Sequence, residues 1–219
     1  MNQSFDDDGK LVAALSAVTT ASLTSVLFKK GLRNVWVCRA RPLDVGQQRV
    51  VGRAFTMRFI PGREDLADPR NWNPAQSTRT AIEEMPDGCI AVVDAMGVSD
   101  VGILGDILCA RMRKRVIAGL LTDGVIRDVA GVRATELPVW CNGVAAPAPS
   151  GGLTYVSSQE PIACGGVAVF PGDMIVMDED GAVLIPCGMV EEVTALAVEQ
   201  ERLESWVMEQ VASGLPLPG

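Results

Sequence analysis

Residues 89–128 read CIAVVDAMGVSDVGILGDILCARMRKRVIAGLLTDGVIRD. Cys89 to Asp94 is an apolar run behind the turn Asp87-Gly88, the signature of a buried strand. The loop from Asp94 to Gly102 leads into a helix predicted over about Leu104 to Lys114, with Leu104, Ile107, Leu108 and Met112 on one side. Val116 to Thr122 reads as a second buried strand, and Asp123-Gly124 turns the chain toward Arg127-Asp128. Strand, helix, strand is a βαβ-like unit, and such units gather their functional groups beyond the carboxyl ends of their strands. The Gly102–Asp106 loop and the Asp123–Asp128 loop both follow such an end. They are therefore predicted to lie side by side, although Arg127 comes 21 positions after Asp106.

Outward from this unit, the first ten residues look loose, and Leu11 to Val18 begins an apolar helix. Thr20 is placed to cap a second helix running to Lys30, with Gly31 as its stop. Val35 to Cys38 and Val50 to Ile60 read as strands, Pro61 to Pro74 as a loop, and Ser77 to Met85 as a short helix. Leu137 to Cys141, Cys164 to Phe170, Met174 to Asp178 and Ala182 to Ile185 are further short strands. Val190 to Val211 is amphipathic, with Val193, Leu196, Ala197, Leu203, Val207 and Val211 on one stripe and glutamates opposite. That helix is suited to packing on the domain or on a sister subunit. No repeat or long linker divides the chain, so residues 1–219 are read as one domain, with a loose start over about 1–10 and a terminal helix over about 190–211.

Composition narrows the chemistry. Apolar residues make up 48% and charged residues 21%, as in ordinary globular proteins. A net charge of −8 argues against a broad nucleic-acid surface, which leaves a basic footprint. No apolar run approaches the roughly 20 residues of a membrane span, and the acidic start Met1–Asp8 lacks the form of a secretory signal. The reading is a soluble, cytoplasmic protein. Six scattered cysteines without a CxxC pair suit buried, reduced thiols rather than zinc ligation or a disulfide framework. The chain has no histidine, which excludes Ser-His-Asp and Cys-His catalysis and histidine-ligated metals. Acid–base work falls to carboxylate, lysine, tyrosine, cysteine or metal-bound water.

Within these limits, Arg127 offers a planar cation suited to a carboxylate, and Asp128 a hard oxygen suited to a divalent ion. The turn Gly102-Ile103-Leu104-Gly105 offers backbone N–H groups to an anion at the start of a helix. Each feature also has a plainer reading. Arg127 and Asp128 suit an ion pair in a turn, the glycines suit a helix cap, and Asp106 suits a first-turn carboxylate that complements the helix dipole.

The run Gly102-Ile-Leu-Gly-Asp-Ile-Leu108, followed by Gly119-Leu-Leu-Thr-Asp-Gly-Val-Ile-Arg-Asp128, resembles the RraA-like family. That family includes the "regulator of ribonuclease activity A" proteins and the metal-dependent 4-hydroxy-4-methyl-2-oxoglutarate and 4-carboxy-4-hydroxy-2-oxoadipate aldolases. Its pattern is an Asp, twenty intervening residues, then Arg-Asp, matched here by Asp106, Arg127 and Asp128. Thr20–Ser25 with Gly31, Val51–Thr56, Leu137–Val139, Pro171–Asp173 and Asp178–Gly181 with Pro186 resemble other landmarks of the family.

The resemblance implies a compact α/β domain of the three-layer β/β/α swivelling type. It implies trimers, or hexamers of paired trimers, with sites at subunit interfaces. It also implies Mg²⁺ or Mn²⁺ held by Asp128 partly through water, with Arg127 on the carboxylate and oxo group of a small 2-oxo acid. Asp106 would orient metal-bound water, and amides of Gly102, Ile103, Leu104 and Gly105 would receive the carboxylate. The implied activity is aldol cleavage to pyruvate or oxaloacetate decarboxylation, in which a cation stabilises the developing enolate. Dehydration of a sugar acid or hydroxy acid, and non-catalytic binding of a ribonuclease, are the alternatives. Arg58 and Arg63 are read mainly as ion-paired with Glu64 or Asp65, Tyr155 as structural, the four tryptophans as packing residues, and Arg111–Arg115 as a basic helix end.

Overall fold

A computed structural model describes residues 3–63 and 77–217 of the chain. In order, the elements are α1 (Gln3–Leu15), α2 (Thr20–Lys29), β1 (Arg41–Pro42), β2 (Val50–Pro61), α3 (Thr78–Glu84), β3 (Ile90–Asp94), α4 (Asp106–Lys114) and β4 (Gly119–Thr122). They continue with α5 (Val129–Ala134), β5 (Val139–Cys141), β6 (Leu153–Ser158), β7 (Ile162–Cys164), β8 (Val167–Val169), β9 (Met174–Asp178), β10 (Gly181–Ile185) and α6 (Val190–Ala212).

Strands β2, β3, β4 and β5 are parallel neighbours, joined in turn through α3, α4 and α5. The sheet runs β1-β5-β4-β3-β2-β9-β10, with β6 also on β2. The twelve-residue β2 is its hinge: Val50–Arg53 pair with β9, and Met57–Pro61 pair with β6. Side chains alternate faces along each strand. On one face Phe55, Ala91, Val93, Leu120 and Val139 pack with Ala81, Ile82, Cys109, Met112 and Val132 of the crossover helices. On the other, Ala54, Ile90, Val92, Leu121 and Trp140 meet the β7–β8 hairpin and the inner face of β9–β10. These are the helix, sheet and second sheet of the expected β/β/α arrangement. The outer face of β9–β10 is covered by α1, α2 and α6 through Leu15, Leu23, Leu27, Val176, Val183 and Val193.

Several local expectations change. The first helix begins at Gln3, inside the segment read as loose. Thr19, not Thr20, caps α2 by accepting from the Ser22 amide, because the Thr20 hydroxyl is turned to the buried carboxylate of Asp178, 2.7 Å away. Val35–Cys38 forms one isolated bridge, Trp36 to Val183, rather than a strand. Cys164–Phe170 is not one strand but the turn and second strand of a hairpin, since Gly165 and Gly166 take φ of +54° and +81° and reverse the chain before Val167–Val169. Strand β6 was not anticipated. Its Tyr155 sits edge-on to Phe59 at 5.5 Å, the structural role expected of it. Trp140 is fully buried, whereas Trp206 is 56% exposed. The readings that involve Glu64, Asp65 and Trp72 lie outside the described residues.

Candidate functional site

The two loops predicted to meet are zipped together beyond the ends of β3 and β4. The Ile103 amide donates to Val125 O at 2.9 Å, and the Arg127 amide donates to Leu104 O at 3.0 Å. Glycine makes this approach possible. A β-carbon on Gly102 would stand 2.7 Å from Arg127 Cβ. One on Gly105 would stand 2.6 Å from Asp128 Oδ2. Gly131 bears the same relation to Asp106, with its absent β-carbon 2.6 Å from Asp106 Oδ2. The starts of α4 and α5 therefore interlock, each helix's carboxylate lying against a glycine of the other.

Asp128 sits at φ +54° and ψ +42°, a conformation Asp tolerates better than most residues, and makes no capping bond to α5. Its half-exposed carboxylate accepts from Arg127 Nε at 2.8 Å. The ion pair read as the plain alternative is thus present. It occupies one N–H of the guanidinium, and the others have no protein acceptor among the described residues. Asp106 Oδ1 accepts from its own helix at the Ile107 amide, 2.7 Å away. Beside it, Asp106, Ile107, Ala110, Arg113 and Gly131 line a hollow of about 590 Å³ between α4 and α5.

The amides of the glycine turn divide into two pairs. Gly102 donates to Pro147 O at 2.9 Å and Ile103 to Val125 O, so neither is free to take an anion as the sequence reading had it. Leu104 and Gly105 have no protein acceptor for their amides among the described residues. The side chains of Ile103 and Leu104 are buried in the core and hold the turn in place. Helix α4 starts at Asp106 rather than Leu104 because extended Gly105 is its cap.

Two further carboxylates stand at the ends of β3 and β4. Buried Asp123 accepts from the amides of Ala95 at 2.9 Å, Gly97 at 3.1 Å and Gly165 at 3.2 Å. It joins the β3–α4 loop and the β7–β8 turn to the end of β4. Burial pushes its pKa above the ordinary carboxylate value, against the pull of those amides. Asp94 accepts from Met96 and Ala163. The sequence reading took both residues only as loop and turn formers. Their signal was a carboxylate closing each of the two apolar runs that become β3 and β4. Of the basic helix end, Arg111 and Arg115 are paired with Glu83 of α3. Among the described residues, no group of three or more Cys, Asp or Glu side chains is placed to hold a metal. No single helix there is long and apolar enough to cross a membrane.

A parallel βαβ sheet backed by a second sheet, with interlocked strand-end loops carrying Arg and Asp, defines a class of α/β protein. The sequence profile described as "RraA-like: Aldolase/RraA" matches residues 18–184, and the chain belongs to that family. A candidate 4-hydroxy-4-methyl-2-oxoglutarate aldolase of Halalkalibacterium halodurans is 34% identical over 172 residues, covering 78% of this chain and 75% of that protein. Protein DlpA of Legionella pneumophila is 26% identical over 95% of this chain, which spans only 32% of DlpA's length. Among solved structures, Streptomyces coelicolor RraAS2, described as an unusual member of the RNase ES inhibitor RraA protein family, superposes with a TM-score of 0.82. It is 34% identical and covers 91% of this chain and 96% of its own. An uncharacterized protein of Pseudomonas syringae also superposes with a TM-score of 0.82, at 26% identity and 95% coverage of both chains.

Proposed function

We propose that the chain is a divalent-metal-dependent carbon–carbon lyase acting on small 2-oxo acids, by aldol cleavage to pyruvate, decarboxylation of oxaloacetate, or both. The observation that supports this most is the meeting of Arg127 and Asp128 with the open amides of Leu104 and Gly105 at one pair of strand-end loops. Family membership and the 34% identity to the Halalkalibacterium protein favour the same reading.

Asp128 is the residue that would hold Mg²⁺ or Mn²⁺. Its carboxylate fits such an ion: a hard oxygen donor, half-exposed, free of capping duty and seated over a glycine that cannot crowd it. Mg²⁺ keeps several waters and is commonly held by one or two carboxylates, so it does not require an acidic cluster. When bound, the ion supplies Lewis-acid polarisation of a substrate oxo group. The uncommitted N–H groups of Arg127 take the substrate carboxylate in a planar fork. The guanidinium then remains beside the carbon framework on which negative charge develops. The amides of Leu104 and Gly105, at the positive end of α4, receive a carboxylate oxygen. Gly102 and Ile103 act through the shape of the turn. Asp106 would orient an ordered water that takes the proton of the leaving fragment's hydroxyl and passes its own to the Asp106 carboxylate, a task for which the chain has no histidine. Assembly as a homotrimer, or a hexamer of paired trimers, belongs to the same proposal.

The test is pyruvate release by chelator-stripped protein from oxaloacetate and from hydroxylated 2-oxo diacids, before and after Mg²⁺ or Mn²⁺ is restored. Turnover above the free-ion background, present only with metal, is the expected result. Its absence with every such acid would overturn the reading. The likeness to RraAS2 favours one other reading, a non-catalytic protein that binds a ribonuclease. Ribonuclease binding that survives Asp128→Ala, without metal-dependent turnover, is its signature.

A further inference from the structure

The basic end of α4 divides between two neighbours. Arg111 and Arg115 turn to Glu83 of α3. Arg113 and Lys114 have no acidic partner among the described residues, and both line the hollow of about 590 Å³ between α4 and α5. Asp106, Ala110 and Arg113 follow one another at spacings of four and three, so they share one face of α4. Across from them stand Gly131, Ala134, Thr135 and Glu136. Ala110, Gly131 and Ala134 are small and leave the floor of the hollow open. Its volume is in the range of small-molecule sites, about 300–1,000 Å³.

The two ends of the hollow differ in charge. The near end holds Asp106 beside Gly131. At the far end Arg113 and Lys114 stand against the single carboxylate of Glu136, and Thr135 has already given its hydroxyl to Val132 O at 2.7 Å. Arg113 comes about 10 Å after Asp106 along the axis of α4, at 1.5 Å per residue. Helical side chains lean toward the N-terminus, which carries the Arg113 guanidinium back toward Asp106. Cations in the last turn complement the helix dipole, but Arg111 already supplies that charge. An unpaired guanidinium at the end of a hollow that starts at Asp106 is a receptor for a carboxylate.

We propose that the hollow between α4 and α5 receives the fragment that leaves in aldol cleavage, and that Arg113 selects fragments ending in a carboxylate. The inference rests on the lyase reading and assigns the residue that reads the far end of the substrate. In that reading the pyruvate half lies against Arg127, Asp128 and the amides of Leu104 and Gly105, and the hydroxyl of the other half faces Asp106. Asp106 also borders the hollow, so the chain beyond the hydroxyl-bearing carbon enters it. For a 4-hydroxy-2-oxo acid the C3–C4 bond breaks and its electron pair stays on C3 as the pyruvate enolate. The C4 hydroxyl loses its proton and C4 becomes the carbonyl of the released aldehyde, while C3 takes up a proton to give pyruvate.

The test compares kcat/KM, with Mg²⁺ or Mn²⁺ present, for 4-hydroxy-2-oxoadipate and 4-hydroxy-2-oxohexanoate. The two have the same length and differ in the terminal carboxylate. Wild type should prefer the diacid by about tenfold or more. Arg113→Ala should erase most of that preference through KM, Arg113→Lys should keep part of it, and Arg113→Glu should reverse it. Ala110→Leu, which fills the floor, should raise KM for both acids. Ala110 and Arg113 are both exposed, and circular dichroism checks folding. No preference in wild type, a preference that survives Arg113→Glu, or an equal loss of kcat on both acids in Arg113→Ala would each overturn the proposal. Metal-dependent exchange of pyruvate methyl protons by wild type separates the two levels. Exchange with selectivity unmoved by Arg113 overturns the subsite alone, whereas no exchange and no turnover overturns the lyase reading and the subsite with it.

Discussion

The carboxylate of Asp128 lies where a side chain on Gly105 would be: the absent β-carbon falls 2.6 Å from Asp128 Oδ2. Gly105→Ala must therefore shift the carboxylate, the Arg127 side chain or the start of α4. A displacement of about 1 Å at a catalytic group can cost about 10²-fold in rate. The expected outcome is a loss of kcat/KM of that order with an unaltered circular dichroism spectrum. Full activity in the alanine variant would contradict the close approach.

Gly131→Ala drives a methyl group into Asp106, with Cβ and Oδ2 both 2.6 Å from the new atom. Alanine gains about 1 kcal/mol over glycine inside a helix, but overpacking of this kind costs about 1–3 kcal/mol. The denaturant midpoint should fall, and Asp106-dependent turnover with it. A raised midpoint would mean that α4 and α5 separate at no cost.

Thiol chemistry should divide the six cysteines. Burial pushes Cys89 and Cys109 up to about 12, and raises Cys141 and Cys164 as well, whereas Cys38 and Cys187 are exposed. Thiolate is the reactive form. A disulfide reagent at pH 8 should titrate two thiols in the native protein and all six after denaturation. Rapid labelling of Cys109 in the native state would contradict the packing of α4.

Asp123 gives a dependence on pH. Its folded pKa is raised by burial, so the folded chain holds that proton more tightly than the unfolded chain. Its contribution is fully present below the ordinary value of about 3.9, and it is lost as pH rises through the folded value. The stability of wild type relative to Asp123→Asn should therefore increase on acidification from neutral pH toward pH 4. A constant difference across that range would count against the raised pKa. Asp123→Ala, which leaves the amides of Ala95, Gly97 and Gly165 without their acceptor, should destabilise at every pH by about 1–3 kcal/mol or more.

The parallel core was legible because strands buried on both faces read as continuous apolar runs. Ile90–Asp94 and Gly119–Thr122 are buried throughout. The meeting of the Gly102 and Arg127 loops was legible from topology alone, since both follow strand ends. Which amides stay open was not, because Gly102 and Ile103 are engaged by Pro147 and Val125, and that pairing is a tertiary event. The hairpin at Gly165-Gly166 was hidden inside one apolar run, where only the two glycines marked the reversal. The Thr19 cap was missed because adjacent threonines are equivalent on paper, and Asp178 decides between them. The stripe on α6 was correctly apolar, but its periodicity did not tell which part the domain would cover.

Exchange of the methyl protons of pyruvate into D₂O, followed by NMR, tests the central claim most directly. It needs no knowledge of the leaving fragment and reads only whether the proposed site can stabilise the enolate. Chelator-stripped wild type should exchange no faster than buffer. Restoring Mg²⁺ or Mn²⁺ should raise the rate well above that of the free ion, and Asp128→Ala and Arg127→Ala should each remove the gain. Metal-independent exchange, or exchange that persists in Asp128→Ala, would contradict the assignment of the Arg127–Asp128 loops as the catalytic site.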